Sequence, residues 1–576
     1  MADNKNLILA ILLSFLIVFG YQLIFGPITP PTTQPTEQAG TEPPASGAPA
    51  TAPAPAAAPA PGTAAAQPVQ SREAAITAGP RLKVRTKRLS GSIALKGAKF
   101  DDLALNDYRE QVDPKSAKIE LLSPAGTGNA YFAQFGWVPS GTVAVPGADT
   151  VWQASADVLE PGKPVTLSWD NGQGLIFTQT VAVDDDFMFT VAQGVENKGA
   201  AAVAVHAYGL LSRHGTPHTS GYAIMHEGLL GVFDGTLKEV SYSDIKDKGV
   251  EKQDATGGWL GITDKYWLTA LAPAQTARVA TRLVHTRDGT LDKYQADLLG
   301  EKLSLEPGAK AETVTHFFAG AKEVKLLDKY AESLGIGRFD LAIDFGWFYF
   351  LTKPIFYLLI VIHQYIPNFG IAILALTVLI KAAMFPLANK SYSAMSKMKK
   401  LQPQMEKLRE RFGEDKMRLN QEMMALYKRE KVNPAAGCLP ILVQIPVFFA
   451  LYKVLFVTIE MRHAPFYGWI HDLSAPDPTT IFNLFGLIPW APPEYLMIGI
   501  WPIIMGVTMW LQQKLNPQPT DPIQAKIFLV LPFLFTFLLA TFPAGLVIYW
   551  AWNNVLSIAQ QWIIMKKEGV EVNLLK

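Results

Sequence analysis

Cysteine is all but missing from the 576-residue chain: Cys438 stands alone, which excludes an intrachain disulfide framework and any multi-cysteine metal site. Charge is scarce as well. Lys, Arg, Asp and Glu make up 18% of the chain, where an average soluble domain carries about a quarter, and the mean hydropathy of +0.15 is above zero. One compact soluble domain is therefore not expected. No Gly-x-Ser-x-Gly elbow and no Walker A loop occurs, so nucleophilic hydrolysis and ATP-driven work lack their usual parts. His226-Glu227 opens like a zinc-protease helix, but Leu230 stands where the second ligand would be. His206, His214 and His218 read as surface or loop histidines, and Asp184-Asp185-Asp186 as a hairpin turn. The expectation is a protein that is not an enzyme and holds no cofactor and no metal. A secondary transporter would show an internal repeat with broken helices in both halves, and none is present. The net charge of +1 conceals segments of opposite character.

What is there begins with an uncharged apolar run at 7–25, preceded by Lys5 and long enough to cross a bilayer. No small-x-small cleavage site and no lipidatable cysteine follows, so 1–26 reads as an uncleaved signal anchor. Residues 27–71 hold 12 prolines and 13 alanines with no Lys or Arg, the composition of a disordered, semi-rigid extracytoplasmic tether. From 72 to 340 short alternating runs such as 177–183 are separated by turn residues, which predicts a large antiparallel β-sandwich. It carries 29 basic against 33 acidic residues, the wrong balance for a nucleic-acid partner.

The remainder returns to apolar texture. Runs at 369–387, 438–457, 496–511, 527–541 and 545–564 predict five further spans, six with the anchor, some of them short for a standard hydrocarbon core. In domain terms these are 369–387, 435–459 and three spans within 496–565, with an external loop at 460–495 and a tail at 566–576. Between 388 and 434 lie 12 basic and six acidic residues, which should stay inside. That orientation leaves no crossing for the aromatic segment 341–368, which reads as an amphipathic helix lying along the outer leaflet. The basic segment itself predicts a helical hairpin broken at Phe412-Gly413-Glu414, with Met395, Met398, Met405, Met417, Met423 and Met424 as its apolar seam or as an adaptable client surface. Polar residues within the spans carry most meaning. Lys381 and Thr377 share a helix face, and Gln444, Thr508, Gln512, Tyr549, Asn553 and Gln560 punctuate otherwise apolar runs. A lysine with that company points to a water-containing cavity.

The stretches Lys381-Ala-Ala-Met-Phe-Pro-Leu, Met398-Lys-Lys-Leu-Gln-Pro-Gln and Gln421-Glu-Met-Met-Ala-Leu-Tyr-Lys resemble the YidC/Oxa/Alb family of membrane insertases. Val432-Asn-Pro, Gly437-Cys-Leu-Pro, Gln444-Ile-Pro, Trp469-Ile-His-Asp-Leu-Ser and Phe542-Pro-Ala-Gly-Leu continue the pattern in order. The resemblance is most specific over 340–565, and the anchor, tether and β-domain are similar to the Gram-negative form. It implies a polytopic α-helical membrane protein with a five-helix insertase core, a periplasmic β-supersandwich related to sugar-mutarotase folds and a cytoplasmic helical hairpin. The implied activity is insertion and chaperoning of nascent inner-membrane proteins, alone or with the Sec translocon. A hydrated positive groove would serve it; Lys381, Thr377, Tyr549 and Trp550 fall on its lining positions, and Gln444, Thr508 and Asn553 join them from the polar pattern of the spans. Lys381 stands where the family usually has arginine, and Trp550 where tyrosine is frequent; lysine keeps the charge but lacks the bidentate fork. Met395, Met398, Lys399, Lys400, Met405, Arg409 and Arg411 would meet clients or the ribosome on the hairpin. Implied partners are nascent membrane-protein clients, the Sec translocon, the ribosome, the signal-recognition particle and its receptor, and membrane lipids. Implied localisation is the bacterial inner membrane, multi-pass, with both termini cytoplasmic. The remaining readings are a secondary transporter or a membrane-anchored carbohydrate-binding or carbohydrate-processing protein.

Overall fold

The computed structural model describes residues 70–570 apart from 220–224, 414, 431, 434–438, 491, 494–495 and 517–521. The anchor expected at 1–26, all but the end of the tether, and the tail beyond 570 lie outside the described residues. Short helices at Arg72–Thr77 (α1) and Tyr242–Lys248 (α2) flank or interrupt a body of β-structure that runs from Arg81 to Ala321.

Its strands form one sheet of eleven and one of nine. The alternation read from 177–183 appears as strand Leu175–Val183, in which every second residue from Leu175 to Val183 is buried. It pairs antiparallel with Met188–Asn197, which pairs on its other side with Lys310–Ala321 at the centre of the nine-stranded sheet. In the larger sheet Val203–His214 lies between Tyr131–Pro139 and Leu291–Gly300. One short pairing, Lys83 with Val158 and Val84 with Leu159, is parallel. The rings of Phe100, Phe135, Phe189 and Phe317 fill the space between the sheets, Phe100 meeting each of the others edge-on at 5.5–5.6 Å.

Helix Val324–Ser333 (α3) closes the sandwich and leads through Phe339–Ala342 into Tyr349–Tyr365 (α4). Thr352, Ile355, Phe356, Leu359 and Ile360 form the buried stripe of α4 at helical spacing. The same helix leaves Phe350 at 73% and Tyr365 at 83% exposure, beside Trp347 at 97%. The helix thus has one face in protein and one bare. Charge ties it to the sandwich: Lys353 Nζ donates to Asp328 Oδ1 at 2.7 Å and Asp340 Oδ2 at 2.6 Å, and Tyr357 donates to Asp328. The apolar core is continuous from the sheets through Phe339 and Phe345 into the helices that follow.

Those helices are Phe369–Phe412 (α5), Lys416–Arg429 (α6), Leu439–Val457 (α7), Ile500–Leu515 (α8), Pro522–Leu538 (α9) and Ala544–Lys567 (α10). A boundary was expected between a span ending at 387 and a separate hairpin helix, but α5 runs unbroken for 44 residues, about 66 Å. Asn368 caps it, its Oδ1 accepting from Ile371 N at 3.0 Å, and Pro386 lies inside it without ending it. A proline removes one hydrogen bond; the strong helix formers on both sides outweigh that loss. The break expected near Gly413 is where α5 does end. Among the described residues α5 alone is both long and apolar enough to cross a membrane by length and composition; Val443–Val457 and Ala525–Thr541 are apolar but shorter.

Candidate functional site

The stripe 377–381–384–388–392 on α5 faces Gln444 and Val447 of α7 and Tyr549 and Asn553 of α10, and together they line a recess. Steps of four, three, four and four residues keep the α5 side chains on one face. The enclosed space is narrow, a cavity of about 20 Å³, room for about one water.

Lys381 aims across this recess. Its Nζ donates to Ser557 Oγ at 2.7 Å, and that hydroxyl in turn donates to the Asn553 carbonyl at 2.7 Å. Tyr392 also hydrogen-bonds Ser557. Among the described residues no carboxylate pairs with Lys381. A lone ammonium held by a neutral hydroxyl has unused capacity to donate. Gln444 Nε2 donates to Asn553 Oδ1 at 3.2 Å and bridges α7 to α10 over the same space. Thr377 is spent locally, its Oγ1 donating to the Ile373 carbonyl at 2.7 Å. Tyr549 is buried at the wall.

Five of the seven groove residues expected from sequence, Thr377, Lys381, Gln444, Tyr549 and Asn553, therefore meet at one recess. The other two do not line it. Thr508 lies buried between α8 and α10, where Asn554 Nδ2 donates to its Oγ1 at 3.3 Å. Trp550 packs behind the recess, 4.9 Å from the Phe448 ring and 5.7 Å from Phe535. Thr508 on α8 and Trp550 on α10 sit on helix faces that a one-dimensional stripe does not separate. Ser557 and Tyr392 were missed. Ser557 continues the Tyr549–Asn553 spacing by one more turn, a signal that was present; Tyr392 was hidden because α5 was expected to stop before it.

Below the recess the hairpin is seated on the core. Lys399 Nζ donates to the carbonyls of Lys514 and Leu515 at 3.4 Å, where α8 ends with unsatisfied acceptors. Burial lowers the Lys399 amine from its ordinary range. Lys400 reaches the Glu568 carbonyl past α10, and Ser393 Oγ donates to Glu568 Oε1 at 2.5 Å. The seam between α5 and α6 consists of buried Leu401 and Leu426 with Met405, whose sulfur accepts from Tyr427 Oη at 3.7 Å. Met395 and Met398 are half-buried, whereas Met417 and Met424 are exposed, as are Arg409 and Arg411. In the β-domain, His226 Nε2 sits 2.9 Å from the Leu229 carbonyl and His206 Nδ1 lies 3.0 Å from the Gly300 carbonyl, so both rings have backbone partners.

Comparison with known proteins decides the family. The YidC periplasmic domain family matches residues 81–358, and the 60Kd inner membrane protein family matches 361–570. A membrane protein insertase YidC of Bradyrhizobium diazoefficiens is 50% identical over 603 aligned positions, covering 100% of this chain and 98% of that protein. The chain belongs to the YidC family of membrane protein insertases. A YidC of Methylobacterium nodulans is 53% identical over 518 positions, 88% of this chain and 86% of its own. A solved active YidC insertase with its first transmembrane domain resolved is 16% identical and covers 84% of this chain and 94% of that one, at a TM-score of 0.34. The boundary between the two family matches, 358 to 361, falls within α4, the helix that joins the sandwich to the α-helical half.

Proposed function

We propose that this chain, an insertase of membrane proteins acting in the inner membrane, works through the Lys381 recess. The observation that carries the reading is the Lys381 ammonium, half-buried among α5, α7 and α10 and held, among the described residues, by a serine hydroxyl alone. A hydrophilic or acidic outer segment of a client meets a high cost in leaving water for hydrocarbon. An ammonium with free donors partway across lowers that cost by charge and hydrogen bonding. The recess at rest has room for about one water, so a client segment enters only when α7 and α10 part and the Gln444–Asn553 hydrogen bond opens. The client's own apolar helix then moves into lipid, and its burial, at roughly 25 cal/mol per Å² of apolar surface, drives the step. No nucleotide takes part.

In this arrangement six spans, counting the anchor, keep both termini cytoplasmic and the sandwich periplasmic, with α4 along the outer leaflet. The spans are short for the bilayer and thin it locally. The distal part of α5 with α6 is the cytoplasmic hairpin. Exposed Arg409 and Arg411, together with exposed Met417 and Met424, suit it to receive clients, and ribosomal or signal-recognition components, from inside. In this reading the chain acts beside the Sec translocon as well as alone. The direct test places a photocrosslinker at position 381 in the full chain and presents stalled nascent chains of increasing length. Crosslinks that follow the client's outer segment as it crosses are expected. Crosslinks confined to lipid at every length sink the reading.

A further inference from the structure

A second cavity, about 360 Å³, opens where the sandwich, α4 and the loop after α7 meet. Its walls are chemically divided. Phe356 and Ile360 of α4 and Ile459 supply the apolar side; Tyr108, Glu323, Lys325 and Glu460 supply the polar side. Of these polar groups Glu323 is already engaged, accepting from Tyr108 Oη at 2.7 Å and pairing with Arg88. Glu460 is not. Backbone N–H groups of Glu460 itself and of Val324, the first residue of α3, bond its carboxylate, yet Oε2 is shut off from bulk solvent with no partner among the described residues. A buried carboxylate oxygen without a donor is costly, and such orphans in native proteins point to a missing partner. Lys325 stands exposed at the rim. The cavity thus combines a carboxylate, an exposed cation and an apolar wall.

We propose that this cavity binds a phosphoethanolamine group, its primary ammonium donating to the Glu460 carboxylate at the wall and its phosphate meeting Lys325. The arrangement of charges selects the ligand class. A polyamine would bring a second cation against Lys325, and a free anion would face Glu460. A trimethylammonium group has no N–H to donate, whereas a primary ammonium has three. The short alkyl link lies against Ile360 and Phe356. The bare apolar face of α4, with Phe350 and Tyr365, puts the cavity at headgroup height, which makes an amine phospholipid the source; this last step rests on α4 being interfacial.

The test uses the full chain in two arms. In nanodiscs of matched anionic content, retention of phosphatidylethanolamine is compared with that of phosphatidylcholine by native mass spectrometry. In detergent without amine lipid, thermal shifts are measured with soluble phosphoethanolamine and phosphocholine. A preference for the primary amine of about tenfold is expected, the scale of one hydrogen bond to a charged group. Glu460→Gln abolishes it. Lys325→Glu, at an exposed position that leaves folding intact, weakens it as well. Preference in the lipid arm alone identifies the lipid as the source. Preference in the soluble arm alone upholds the cavity and removes the interfacial placement of α4. Equal binding of both amines in both arms, or a preference untouched by the two substitutions, overturns the proposal.

Discussion

Replacing Lys381 should slow the insertion of clients according to the charge of their outer segment. The ammonium lies in a half-buried recess with Ser557 as its hydrogen-bond acceptor and no counter-ion among the described residues. At an effective dielectric near 20, a client carboxylate about 4 Å away is attracted by about 4 kcal/mol. Stripping water from that carboxylate offsets part of the gain, and hydrogen bonds to charged groups contribute about 1.5–3 kcal/mol net. At about 1.4 kcal/mol per decade, losing the ammonium should slow an acidic segment's crossing by about tenfold to a hundredfold. A segment with glutamine in place of its acids should change by about twofold or less. Lys381→Met is the sharper probe than Lys381→Ala, because it keeps the aliphatic stem that fills the recess. Lys381→Arg should retain function. Ser557→Ala leaves the charge and removes only its tether, so its effect should be smaller than that of Lys381→Met. The assay is depletion of the resident insertase with complementation by each variant, scoring outer-segment crossing by protease accessibility for two clients that differ only in acidic or amide side chains. Equal impairment of both clients by Lys381→Met, or normal insertion of both, refutes the electrostatic reasoning.

Two further outcomes follow from packing and from titration. At Gly506 on α8 an added Cβ would lie 2.0 Å from Thr536 Oγ1 on α9, so Gly506→Val should destabilise by about 1–3 kcal/mol and lower the melting temperature, with Thr536→Ala partly restoring it. Burial pushes the Glu460 carboxyl up to about 7 from its ordinary 4.5 or so. The folded chain therefore holds a proton that the unfolded chain releases between those two values. This stability is fully present below about pH 4.5 and is lost as pH rises through 7, by about 3 kcal/mol at most. Glu323, which adds repulsion, and Lys325, which opposes it, are the charged neighbours. In amine-free detergent Glu460→Gln should flatten the melting profile over that window and be the more stable protein at pH 8; an unchanged profile refutes the assignment.

Much of the β-domain was legible because strand periodicity survives in the sequence: Leu175 to Val183 alternate in composition as they alternate in burial. The Lys381–Thr377 pairing was legible for the corresponding helical reason, as was the Tyr549–Asn553 stripe. The extension of α5 through Pro386 was not, because a proline reads as a boundary while the surrounding residues favour continuing. Thr508 and Trp550 show the other limit. Polarity or aromatic character within an apolar run marks a residue as noteworthy, but the rotation of α10 against α8 and α5 sets whether it meets the recess or the packing behind it.

Composition and periodicity by themselves determined the class of molecule: a chain too poor in charge to be one soluble domain, with a β-rich segment, apolar runs and a basic segment in fixed order. These properties are local sums over side chains and need no coordinates. Only the tertiary structure brought Lys381 to Ser557, 176 positions away, seated Lys399 on the end of α8, and set Glu460 at a cavity wall with one oxygen lacking a partner among the described residues. Such contacts depend on helix rotation and on which elements adjoin, and neither is written in any single stretch of sequence.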